Sequence, residues 1–84
     1  MSLQKLIDAY PEMTFYKADG FDDAVIGFIQ RRGRLVYDIN KMVDILVKRD
    51  GMTAEEALEF LEYNTFSAYM GPKTPLYLTS IPRF

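Results

Sequence analysis

Apolar residues recur at helical spacing near the N-terminus. Between Leu3 and Tyr10 they occupy positions i, i+3, i+4 and i+7, which place them on one face of an α-helix. Ser2 is a suitable N-cap, and Pro11 ends the pattern. The sequence therefore predicts a short N-terminal helix.

A second helical stripe runs from Ile39 to Val47 and predicts a helix over residues 39–49. Asp38 or Asn40 is its N-cap, and Gly51 suits the left-handed position just after its end. Lys48 and Arg49 place positive charge in the last turn, where the helix dipole favours it.

A third helix is predicted over residues 54–70. It begins at a capping box, in which the Thr53 hydroxyl accepts from the amide of Glu56 and the Glu56 carboxylate reaches back. Gly71-Pro72 ends it. Only about two residues separate it from the preceding helix, so the two are expected to pack as an αα-hairpin.

β-branched and aromatic residues predict a β-hairpin over residues 24–37. Residues 24–30 are apolar on both faces, which suits an inner strand covered on both sides, or on one side with a partner on the other. Gly27 within them indicates a bulge or a close backbone approach. The turn is Arg31-Arg32-Gly33-Arg34, in which Gly33 supplies a positive φ. A helix over residues 22–29 is the competing interpretation, and Gly27 weighs against it.

These elements predict a single α+β domain over residues 1–84. An antiparallel sheet of two to three strands packs against the αα-hairpin; residues 14–18 favour a short strand, and residues 76–78 could add an edge strand. A strand apolar on both faces in so short a chain favours a homodimer.

Composition narrows the functions open to the chain. It has 84 residues with neither histidine nor cysteine, which removes the commonest general base, thiolate chemistry and disulfides. No glycine-rich phosphate-binding motif occurs. We therefore expect no enzyme, and we assign no catalytic residue, metal or cofactor.

Charge and hydropathy make nucleic acids and membranes less favoured as partners. Ten basic and 12 acidic residues give a net charge of −2, so no overall field attracts nucleic acid. No apolar run approaches the roughly 20 residues of a membrane helix, and the N-terminus does not resemble a signal peptide. A cytoplasmic protein without membrane contact is expected.

Two sets of residues are candidates for binding a partner. Arg31, Arg32 and Arg34 on the hairpin turn could grip phosphate or an acidic surface, but a solvated turn is the simpler interpretation. Tyr63, Asn64 and Tyr69 set polar groups among aromatic rings. Such a run is either a recognition surface or a buried group bonded to the following loop.

Acidic residues offer weaker chemistry. The loop with Asp19, Asp22 and Asp23 lacks the spacing of a calcium-binding loop, so capping of turn amides explains it more simply. The helix glutamates form an acidic, solvated face, and an enzyme that uses them with Mg²⁺ is the least favoured hypothesis. They are Glu55, Glu56, Glu59 and Glu62.

Several stretches resemble a family of small, mostly uncharacterised proteins of tailed bacteriophages and prophages. The strongest is Asp50-Gly-Met-Thr-Ala-Glu-Glu-Ala-Leu-Glu59, which runs on to Glu62-Tyr-Asn64. Other matching stretches within residues 21–78 are Asp22-Asp-Ala-Val-Ile-Gly27, Val36-Tyr-Asp38 with Lys41, Ala68-Tyr69, Gly71 and Thr74-Pro75. The resemblance implies a phage accessory protein in the cytoplasm of an infected host cell, with no established activity or catalytic residue.

The leading functional hypothesis is therefore a non-enzymatic interaction module for, or inhibitor of, a host or phage protein. The alternative is a nucleic-acid-binding module that uses the turn from Arg31 to Arg34.

Overall fold

A computed structural model describes residues 3–81 of the chain. Three α-helices and three strands form an α+β arrangement, as predicted, and one turn of 3-10 helix at Asp22–Ala24 precedes the first strand. The predicted cap Ser2 lies outside the described residues. The elements are α1 (Leu3–Ala9), β1 (Val25–Ile29), β2 (Arg34–Asp38), α2 (Ile39–Asp50), α3 (Ala54–Asn64) and β3 (Leu76–Leu78).

The three strands form one sheet in the order β1-β2-β3. β1 and β2 are the predicted antiparallel hairpin, but β3 runs parallel to β2, so the sheet is mixed and not antiparallel throughout. Both α2 and α3 lie between β2 and β3 in the chain, and this long crossover lets β3 return in the same direction as β2.

The central strand is β2, and β1 lies at an edge. Four of the five residues of β2 are buried, whereas in β1 only Val25 is fully buried and Ile29 is 44% exposed. The expectation of an inner strand at residues 24–30 is therefore wrong. The apolar residues of β1 reflect packing on part of its length, with Phe28 against Tyr10 at a ring separation of 4.9 Å.

The irregularities of the hairpin follow the sequence. Val25 faces Tyr37 and Gly27 faces Val36, so Ile26 is the extra residue of a bulge beside Gly27, as predicted. In the turn, Gly33 has the expected positive φ of 68°. Arg32 also lies in the left-handed region, with a φ of 70°.

Residues 14–18 form no strand, contrary to the expectation. Their backbone is bonded to distant side chains instead of a neighbouring strand. The carbonyl of Thr14 accepts from Lys73 Nζ at 2.9 Å, and the amide of Ala18 donates to the hydroxyl of Tyr37 at 2.8 Å. The Phe15 ring packs edge-on against Phe28 at 5.4 Å.

The predicted caps define the αα-hairpin. Asp38, and not Asn40, caps α2: its Oδ1 accepts from the amide of Asn40 at 2.9 Å. Gly51 ends α2 with a φ of 70°. At the start of α3 the capping box is complete, with Thr53 and Glu56 exchanging bonds of 2.9 and 3.1 Å.

Helix α3 ends at Asn64, six residues before the predicted end. The amides of Thr65 and Phe66 both donate to the carbonyl of Leu61, at 2.9 and 2.8 Å, and the second bond closes a wider turn than an α-helix allows. The Phe66 ring then packs on Tyr77 of β3 at 4.8 Å. Contact with the sheet therefore ends the helix before Gly71 is reached.

The core lies between the sheet and the helices. Tyr37 is completely buried at its centre, with Met42 and Leu46 from α2 and Ala57 and Leu61 from α3. The predicted apolar stripe of α2 is only partly buried, because Val47 at its end is exposed.

Candidate functional site

The hairpin turn presents two of its three predicted arginines to solvent. Arg31 and Arg32 are exposed. Arg34 is half-buried, and its Nε donates to the carbonyl of Thr74 at 2.6 Å, which ties the start of β2 to the segment before β3. Arg31 and Arg32 are thus the two that the structure leaves accessible at the turn.

The second predicted cluster lies at the end of α3. Tyr63 is 78% exposed, an unusual exposure for an aromatic side chain on a packed helix. Asn64 follows it, and its amide donates to the carbonyl of Phe60 at 3.0 Å. Tyr69 is 81% exposed but stands on the loop after α3, so the predicted cluster is split between helix and loop.

Tyr63 belongs to a wider outward face of α3. Ala57 and Leu61 turn inward, so the opposite side of the helix is centred on Glu59. Leu58 and Phe60 border this side and are 40% and 38% exposed. We call this surface the α3 face; its residues are Glu55, Glu56, Leu58, Glu59, Phe60, Glu62 and Tyr63.

Two shallow depressions flank the α3 face. One, of about 390 Å³, is lined by Met52, Glu56, Glu59, Phe60, Tyr63 and Asn64. The other, of about 400 Å³, is lined by Glu55, Leu58, Glu59, Glu62 and Tyr63. Glu59 and Tyr63 line both, and the side chains of these two residues therefore form a ridge between two hollows that each contain apolar and acidic groups.

The α3 face carries negative charge, and no basic residue lies near it in the sequence. No lysine or arginine occurs between Asp50 and Pro72, whereas four glutamates lie on α3. The bonds from Thr53 to Glu56 hold the pKa of its carboxyl below the usual range, so Glu56 stays ionised. The ion pairs Lys17–Asp22 and Arg49–Asp50 involve no residue of α3.

A further cleft of about 260 Å³ opens between the loop around Asp19 and the end of α3, and Tyr77 lines it. Within the described part of the chain, the buried hydroxyl of Tyr77 has no hydrogen-bond partner. Burial raises the pKa of this phenol. Tyr77 therefore presents a protonated, unsatisfied hydroxyl beside a cleft that Lys17 and Asp19 also line.

The acidic loop places Asp22 3.6 Å from Lys17, with both side chains about half exposed. Across residues 3–81, no group of three or more acidic side chains is arranged to hold a metal ion.

Sequence reasoning found Tyr63 and Asn64 but missed the hollows on either side. The spacing of Glu55, Glu59 and Glu62 indicated an exposed acidic face. The exposure of Phe60 and the approach of Met52 from the α2–α3 connection depend on how the helices pack, and no local signal indicates either.

No known protein family, curated protein or solved structure matches the chain. Among residues 3–81 no helix has the length and apolar character needed to cross a bilayer.

Proposed function

We propose that this protein is a non-enzymatic binding module whose α3 face contacts another protein. The observation that carries the proposal is the exposure of Tyr63 on a regular helix between two hollows. Tyrosine is enriched among the residues that dominate binding energy, and a helix holds it in a fixed position at low entropic cost.

The surroundings of Tyr63 support this assignment. Half-exposed Phe60 and Leu58 supply apolar area on either side, and carboxylates surround them. An apolar centre with a polar rim is the usual anatomy of a protein interface. We further propose, from the sequence resemblance, that the protein is a phage accessory factor whose partner is a host or phage protein in the bacterial cytoplasm.

The test compares the protein with two tyrosine variants. The immobilised wild type, Tyr63→Ala and Tyr69→Ala are each incubated with bacterial lysate, and retained proteins are quantified by mass spectrometry. Tyr63 and Tyr69 are 78% and 81% exposed, so the variants remove similar surface, but only Tyr63 lies on the α3 face. We expect a stoichiometric partner that Tyr63→Ala loses and Tyr69→Ala keeps. Equal retention by all three proteins, or no stoichiometric partner, would contradict the proposal.

A second candidate function is supported by the hairpin turn, where Arg31 and Arg32 are both exposed. Exposed guanidinium groups bind phosphates well, so a nucleic-acid-binding module remains the alternative. Gel-shift titration with a labelled oligonucleotide at low salt would show binding that the double variant Arg31→Glu/Arg32→Glu removes. Absence of a shift at low salt would eliminate this function.

A further inference from the structure

The charge of the α3 face specifies the partner more closely. Resting on the proposed function, we infer that the α3 face binds an arginine-bearing segment of the partner protein, with a guanidinium stacked on Tyr63 and apolar side chains in the two hollows. The inference follows from charge complementarity, from the position of Tyr63 and from the composition of the hollows.

Charge complementarity requires a basic segment. The four glutamates of α3 lie in a stretch of 23 residues, from Asp50 to Pro72, that has five acidic residues and no basic one. Glu59 and Tyr63 line both hollows, so a group bound in either lies next to a carboxylate. Nucleic acid and acidic peptides would be repelled here.

Tyr63 favours arginine over lysine. Tyr63 is 78% exposed and lies one turn along the helix from Glu59. A planar guanidinium stacks on an exposed aromatic ring and can pair with a carboxylate at the same time, whereas a lysine ammonium is compact and more strongly hydrated. Exposed ion pairs alone contribute little, so the stacking contact is needed to give preference.

The hollows account for apolar contacts beside the charged one. Met52 and Phe60 line the first, and Leu58 lines the second. A partner segment that crosses the ridge can therefore place one aliphatic side chain on each side of its arginine. We therefore expect the α3 face to bind a segment in which an arginine lies between apolar residues.

The experiment uses three fluorescently labelled peptides of about 16 residues, a length typical of helical recognition segments. All three share the same leucine positions and carry arginine, lysine or glutamate at the same four sites. Their affinity for the full-length protein is measured by fluorescence anisotropy. We expect affinity in the order arginine, lysine, glutamate, with the arginine peptide weakened by added salt.

Variants locate the contact. We expect Glu59→Gln and Tyr63→Ala each to weaken binding of the arginine peptide about five- to tenfold, whereas Tyr63→Phe, which keeps the ring, changes it little. Glu12→Gln and Tyr69→Ala are matched controls away from the α3 face and should leave it unchanged. Circular dichroism of every variant checks that the fold is retained.

Several results would overturn the inference. These are equal affinity for the arginine and lysine peptides, equal affinity for the glutamate peptide, no binding of any peptide, or binding that Glu59→Gln and Tyr63→Ala leave unchanged. Salt-sensitive self-association that Arg31→Glu/Arg32→Glu removes would also overturn it, because the occupant would then be a second copy of this chain.

Failure here is distinguishable from failure of the proposed function. If Tyr63→Ala still loses a captured partner while no arginine peptide binds, the α3 face is a protein-binding surface with a different specificity. If Tyr63→Ala changes neither capture nor peptide binding, the proposed function is wrong as well.

Discussion

Two neighbouring tyrosines offer a matched test of what a buried hydroxyl contributes. Tyr37 is fully buried, and its hydroxyl accepts from the amide of Ala18 at 2.8 Å. The rings of Tyr37 and Tyr77 lie 5.6 Å apart, yet the hydroxyl of Tyr77 has no partner within the described part of the chain. Replacing either residue by phenylalanine removes one oxygen and keeps the ring.

The two substitutions should change the free energy of unfolding by different amounts or in opposite directions. Tyr37→Phe leaves the buried amide of Ala18 without an acceptor, which costs about 1 to 3 kcal/mol. Tyr77→Phe removes a group whose desolvation no hydrogen bond offsets, so the free energy of unfolding should stay the same or rise by up to about 1 kcal/mol. In a domain of this size each kcal/mol moves Tm by about 4 to 8 °C.

Urea and thermal unfolding followed by far-UV circular dichroism would measure both changes. The ring and its packing are kept in each variant, so a difference between them reports on the hydroxyls alone. Equal destabilisation by the two substitutions would refute the reasoning, because it would mean that the Tyr77 hydroxyl is bonded in the folded protein.

The same pair predicts a pH dependence. Burial raises the pKa of Tyr37 from 10.0 to about 12, despite the bond from Ala18, which lowers it. Burial also raises the pKa of Tyr77. The unfolded chain therefore loses these protons near pH 10 while the folded protein keeps them. Stability from this source is complete below pH 10 and declines as the pH rises toward 12. The decline should be shallower in Tyr37→Phe, and an identical slope in wild type and variant would contradict the assignment.

Five further substitutions test the helices and the hairpin by urea unfolding. Gly51→Ala should lower the free energy of unfolding by about 1 to 2 kcal/mol, because the φ of Gly51 is 70°. Gly27→Ala should cost less than half of that, because Gly27 has as much room for a Cβ atom and no positive φ. Equal costs would contradict the backbone explanation. Thr53→Ala removes the N-cap of α3 and should cost about 1 kcal/mol, and no loss would mean that the capping box is not formed in solution. Leu61→Ala should cost about 2 to 5 kcal/mol and Leu58→Ala below about 1, because Leu61 is fully buried and Leu58 is 40% exposed; similar costs would contradict the orientation of α3.

Features that depend on a few neighbouring residues were predictable from the sequence. The capping box needs only Thr53 and Glu56, and the end of α2 needs a glycine that tolerates a left-handed conformation at position 51. The bulge beside Gly27 and the turn at Gly33 are similarly local. Each of these was placed correctly to within about one residue.

Features that depend on contacts between distant parts of the chain were not predictable from the sequence. The end of α3 is set by Phe66 packing on Tyr77, which lies 11 positions further on. Residues 14–18 form no strand, and two of their backbone groups bond to distant side chains instead. The amide of Ala18 donates to the Tyr37 hydroxyl, and the carbonyl of Thr14 accepts from Lys73 Nζ. Hydropathy alone also cannot separate an edge strand from a central one, and so β1 was misplaced.

The candidate site likewise has parts that the local sequence predicts and parts that depend on distant contacts. Helical periodicity predicts the glutamates of the α3 face, and an aromatic-polar run drew attention to Tyr63 and Asn64. The first hollow is lined by both Met52 and Phe60, and the position of Met52 depends on how α2 packs against α3, whereas every residue that lines the second hollow lies on α3.

The parallel pairing of β3 has a consequence for the order of folding during synthesis. The hairpin and both long helices can form once residue 64 has left the ribosome, but β2 has a hydrogen-bonded neighbour on only one side until residues 76–78 have left it as well. Until then the nascent chain exposes the open edge of its most buried strand. A ribosome stalled after residue 64 has emerged but before residues 76–78 have would therefore expose an incomplete, aggregation-prone sheet. Chaperone recruitment to this protein should be greatest at that stage.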